Sequence, residues 1–263
     1  MVSLLVLTLA LYSASSVMLW RQLRQPHVTS MLLWAFPSAA LVGHAWLLWN
    51  HLKLDQFDHF NIATSLSTVA FIVALLSILR SGRSGGLLLR PVIYLFAAAS
   101  VALMYFSPTN WGAQVSHEQG LILHIVLSLV AYAILVMATL YAVQLLYLSY
   151  LLKHHRASML SQQLPPLMTV ERYFFRLLTT GTLVLFIALA AGFVFLNDMF
   201  AQGQAHKTIL SLIAASLYLV VVVCHGLFHV RGRVLVLTSV IASVVLTLAY
   251  FGSRFVKDVL LSA

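Results

Sequence analysis

EQGLILHIVLSLVAYAILVMATLYAVQLLYLSYLLK, Glu118 to Lys153, is a long apolar run with one histidine, His124, about a turn inside its apolar part. At helical spacing His124, Ser128, Ala131, Tyr132, Leu135, Thr139 and Ala142 fall on one side. That side holds most of the segment's polar and small residues. In lipid such a face turns toward other helices, because an imidazole against hydrocarbon is left without partners. The stretch predicts a membrane-spanning helix whose histidine points into a bundle.

The whole chain carries the same signature. Of its 263 residues 62% are hydrophobic and 8% charged, where a soluble domain has about a quarter charged. The net charge of +9 is spread in short clusters between apolar runs. It is not one basic patch with interleaved aromatics, so it encodes membrane orientation and not nucleic-acid binding. Cys224, the single cysteine, excludes an internal disulfide, a CxxC pair and a CxxCH haem-attachment site within the chain.

Eight apolar runs are each long enough, or nearly so, to cross about 30 Å of hydrocarbon. They are about Val2–Trp20, Met31–Asn50, Phe60–Leu79, Pro91–Phe106, the opening stretch, Leu177–Met199, His206–His229 and Val234–Val256. The expectation is an all-α polytopic bundle of about eight transmembrane helices, a single transmembrane domain over 1–263. The first run lacks a basic leader and is followed by Arg21 and Arg24, which reads as a retained helix.

Lys and Arg set the expected orientation. The odd-numbered connections hold Arg21 and Arg24; Arg80, Arg83 and Arg90; Lys153, Arg156, Arg172 and Arg176; and Arg231 and Arg233. The even ones and the C-terminus hold only Lys53, Lys207, Arg254 and Lys257. This bias puts the odd connections in the cytoplasm and both termini outside. In the longest connection, about 152–176, Pro165 and Pro166 break the chain and Thr169 caps a short interfacial helix. Tyr173, Phe174 and Leu177 would face the membrane there, with Glu171, Arg172 and Arg176 in water.

Eleven histidines against six acidic residues is an unusual ratio for a membrane chain. His44, His124 and His206 lie at or just inside the outer ends of the second, fifth and seventh runs. His44 is roughly 9 Å and His124 roughly 6 Å from those ends, at 1.5 Å per residue. Two neutral imidazoles at like depth suit the axial positions of one haem, or two ligands to one metal ion; simple helix-to-helix hydrogen bonding is the competing reading. His206, beside Lys207 and Thr208, reads first as a cap or interfacial group. His225 and His229 share a helix face and read as anchors more readily than as a second site. His51, His59, His117, His154 and His155 read as solvated. Ala188 and Gly192, with Gly181 two turns earlier, form a small-residue seam. There is no HExxH, GxSxG or Ser/His/Asp spacing, so no enzyme is expected. Carboxylates are confined to connections and ends, which argues against a carboxylate proton relay.

LHIVLSLVAYA (Leu123–Ala133), PPLMTVERYFFRLLTTGTLVLFIALAAGFVF (Pro165–Phe195), HKTILSLIAASLY (His206–Tyr218) and LAYFGSRFV (Leu248–Val256) resemble the cytochrome c assembly family. These are polytopic haem-handling membrane proteins, and the nearest branch is that of the YpjD-like inner-membrane proteins. The resemblance is dense over the second half and reaches the first through GHAW around His44. It implies haem binding near the outer face, with His124 matching the family's histidine and His44 matching more weakly. The better-studied members present haem on a WGxxWxWD loop. Gly192–Lys207 reads GFVFLNDMFAQGQAHK here, without tryptophan, which removes the basis for direct delivery to an apocytochrome.

The expectation is thus a multi-pass protein of the bacterial inner membrane that binds haem b through His44 and His124, with His206 near the mouth. It would serve haem trafficking or cytochrome c assembly, alongside assembly components or another membrane protein. The alternative is a membrane accessory subunit or divalent-metal transport partner that binds no haem.

Overall fold

The computed structural model describes residues 1–24, 31–54, 61–80, 88–107, 119–154, 166–195 and 205–252. Within them lie eight helices: α1 (Val2–Arg24), α2 (Leu32–Leu54), α3 (Ile62–Leu79), α4 (Arg90–Phe106), α5 (Gln119–Lys153), α6 (Leu167–Phe195), α7 (Ala205–Gly226) and α8 (Arg233–Thr247). A π-helical turn, Leu248–Gly252, continues α8. No strand occurs among the described residues. Helices are what lipid demands, since each backbone N–H and C=O must find its partner inside the chain. Seven helices are long and apolar enough to cross a membrane. α4 has 17 residues, about 26 Å at 1.5 Å per residue, and falls just short of that length.

The contacts gather into two compact units, 1–113 with 148–170, and 114–147 with 171–263. In the first, α1 packs on α2 and α4, and α3 on α4 and α2. Neighbours run antiparallel. Ser16 Oγ donates to the Pro91 carbonyl at 2.9 Å near the start of α4, while Met1 and Met104 line a common cavity at the other end. The polar ends of α3 are closed by side chains. Asn61 Oδ1 accepts from the Thr64 N–H at 2.7 Å, and buried Arg90 donates to the Ser77 carbonyl at 3.0 Å. Both satisfy groups that a helix end leaves unpaired.

Gly43 sets how near α1 and α2 come, because a Cβ there would collide with Thr8 Oγ1. Gly43→Val is therefore expected to lower stability by about 1–3 kcal/mol through overpacking, read as an earlier thermal unfolding midpoint in detergent.

In the second unit α5 and α6 run antiparallel. His124 meets Ala188, Leu135 meets Gly181 and Tyr141 meets Tyr173. A Cβ on Gly181 would stand 2.8 Å from Leu135 Cγ, so this seam is close-packed as its small residues predict. α7 packs on α8, and the π-helical turn on both. The polar side of α5 faces inward: Ser128, Ala131, Tyr132, Leu135 and Ala142 are all buried.

The connection before α6 differs from expectation. Its described part is not a separate interfacial helix, for α6 starts at Leu167, straight after Pro166, and runs 29 residues to Phe195. Phe174 and Leu177 are buried in the protein and do not face lipid. The backbone ladder continues through the polar turn Glu171–Arg172 because helical hydrogen bonding does not depend on side-chain polarity.

Candidate functional site

His124 lies in the second turn of α5, half-buried. Its Nδ1 is 2.8 Å from the Ala188 carbonyl oxygen. A carbonyl only accepts, so Nδ1 carries the proton and Nε2 keeps the lone pair in the neutral ring. The small-residue seam explains why that oxygen can be reached. In a helix the side chain four positions on leans back over a carbonyl, and at that position Gly192 has none. Metal-binding histidines commonly donate their other N–H to a carbonyl in this way, which fixes the tautomer and the ring. His124 fits an iron ligand on that ground.

Further along the same face, Tyr132 Oη and Thr247 Oγ1 are 2.9 Å apart, tying α5 to α8. Tyr250 stacks on Tyr132 at 5.3 Å and Phe251 meets it edge-on at 5.4 Å.

His44 sits differently. It is fully buried in the first unit, with Nδ1 3.1 Å from Tyr12 Oη and Nε2 2.9 Å from Ser67 Oγ. Phe71 packs edge-on against the ring at 5.4 Å, and Tyr94 stacks on Tyr12 at 6.0 Å. Tyr12 of α1 and Ser67 and Phe71 of α3 thus meet the α2 imidazole, and Tyr94 of α4 backs Tyr12. Both ring nitrogens are committed, so His44 offers no free lone pair as it stands. Tyr12 and Ser67 were not singled out by sequence reasoning; each is one of several hydroxyl-bearing residues in its apolar run, 32 and 23 positions from His44, and no spacing rule links them.

His206 is exposed in the first turn of α7, in the same unit as His124. His51, expected in solvent, instead lines an apolar cavity of about 200 Å³ with Met1, Leu47, Val101, Met104 and Tyr105. That is below the roughly 300 Å³ at which pockets for drug-sized ligands begin. His154 is exposed, its Nδ1 donating to the Tyr150 carbonyl at 2.9 Å. His27, His59, His117 and His155 lie outside the described residues. No three His, Cys, Asp or Glu side chains gather to hold a metal ion among the described residues.

The family model described as "Cytochrome C assembly protein" matches residues 24–261. The chain belongs to that family. It is 34% identical over 223 residues to the inner membrane protein YpjD of Escherichia coli K12, covering 84% of each chain. The YpjD of Escherichia coli O157:H7 matches equally. A 28.8 kDa protein of Azospirillum brasilense is 37% identical over 141 residues, 53% of this chain and 52% of that one. No solved structure matches. With seven helices fit to span and relatives named for the inner membrane, this cytochrome c assembly family member is a multi-pass inner-membrane protein.

Proposed function

We propose that this protein binds b-type haem between membrane helices and serves haem trafficking or cytochrome c assembly, with no covalent chemistry of its own. The observation that carries the reading is the Nδ1–H of His124 held on the Ala188 carbonyl, which leaves Nε2 as the iron-binding nitrogen. Family membership supports it independently. His124 is the principal ligand. His206, exposed at the start of α7 in the same unit, would be the second histidine available to help hold the haem. His44 becomes a ligand only by giving up Tyr12 or Ser67, so its first role is to hold the helices of its own unit together. The haem is cargo, and the apolar helix surfaces take up the macrocycle while the histidines fix its iron.

The test is a pyridine haemochrome assay on protein purified from a haem-replete host. About one haem per chain, with the spectrum of a low-spin histidine-ligated iron, is the expected result. Protein that is colourless and stays so after haemin is added would end the proposal.

A further inference from the structure

Phe175 of α6 and His225 of α7 lie face to face, with ring centroids 3.4 Å apart and planes 2° from parallel. His225 is also held from the other direction, its Nδ1 donating to the Val230 carbonyl at 3.2 Å. α7 ends at Gly226, so His229 lies beyond the helix that carries His225; the chain turns through His229 at a φ of +53°, and the Val230 N–H returns to the Cys224 carbonyl at 3.1 Å. The stack therefore sets the ninth residue of α6 level with the end of α7. α6 is 29 residues long, about 43 Å at 1.5 Å per residue, against a hydrocarbon core of about 30 Å. Its opening turns consequently run on past the level at which α7 leaves the hydrocarbon.

Four arginines border that stack in the sequence. Arg172 and Arg176, four apart on one face of α6, flank Phe175, and Arg231 and Arg233 follow the turn beside His225. All four are exposed. Glu171 is the one acidic residue among the described residues. Beside it the turn holds out Leu227 and Phe228, 72% and 70% exposed, though it joins two membrane-spanning helices. Guanidinium groups bind phosphate oxygens in bidentate fashion, and exposed aliphatic and aromatic groups next to them suit acyl chains.

We propose that the start of α6 and the α7–α8 turn form a binding site for an anionic phospholipid, its phosphate held by Arg172, Arg176, Arg231 and Arg233 and its acyl chains lying against Leu227 and Phe228. This does not rest on the haem reading. Basic clusters between helices at the membrane surface hold such headgroups, and here the two arginine pairs border the Phe175–His225 stack.

The experiment uses full-length protein in a neutral detergent, titrated with phosphatidylglycerol or phosphatidylcholine and followed by native mass spectrometry. Wild type should retain phosphatidylglycerol at least five-fold better than phosphatidylcholine. R172Q/R176Q and R231Q/R233Q should each lose most of that preference, while Lys53→Gln, an exposed charge in the other unit, should keep it. Arg-to-Lys versions of the same pairs control for folding and should retain binding in part. Equal retention of both lipids by wild type, or an unchanged preference in both double variants, would overturn the proposal. So would competition by inorganic phosphate at concentrations equal to the lipid, which would make the site one for free anions. Loss of the preference only when a co-purifying acidic protein is removed would assign the patch to that partner instead.

Discussion

His124→Ala is expected to remove the low-spin haem spectrum and weaken haem binding at least ten-fold, since even the groups that orient a metal-binding histidine are worth about 10–100-fold. Added imidazole should restore part of the spectrum by filling the vacated position. The fold should hardly notice, because the ring is only half-buried and makes one hydrogen bond to a helix carbonyl. Interhelical hydrogen bonds of that kind average about 0.6 kcal/mol in membrane proteins. His124→Ala with an unaltered haem spectrum would remove this residue from the iron.

The second large effect runs the other way. His44→Ala takes a buried imidazole from between Tyr12 and Ser67, both fully buried. Each hydroxyl left unpaired costs about 1–3 kcal/mol, so the thermal unfolding midpoint in detergent should fall by many degrees. Tyr12→Phe, which forfeits one of the two hydrogen bonds and no packing volume, should cost about 1 kcal/mol. Haem content measured on the surviving folded His44→Ala fraction should stay near wild type. If the unfolding midpoint holds and the haem is lost, His44 is an axial ligand and its present hydrogen bonds are exchanged for iron.

These two histidines show what the sequence could and could not tell. The number and order of the helices followed from apolar runs bounded by charges, because length and hydropathy in lipid leave few other solutions. The inward side of α5 followed from spacing alone, as residues four apart share a face. The Gly181–Ala188–Gly192 seam was legible for the same reason, and it proved to be the surface His124 rests on. What His44 touches was not legible. Its partners come from α1 and α3, and pairing between distant helices depends on how they rotate about their axes, which no local pattern specifies. α6 begins at Leu167, ahead of the apolar run that opens at Leu177, because the backbone ladder continues through Glu171 and Arg172 whatever their side-chain polarity. The π-helical turn after Thr247 left no mark in composition at all.

That turn makes the count of residues matter at one place in the second unit. Each residue of an α-helix swings the next side chain by about 100°, so in regular helix Tyr250 and Phe251 would diverge. Instead both rings address Tyr132, within five residues wound more loosely than the rest. Deleting one residue between Thr247 and Tyr250 would re-aim both rings away from α5, whereas the same deletion in a surface connection would be absorbed. The aromatic contact that fastens α8 to α5 is thus sensitive to insertion and deletion as much as to substitution.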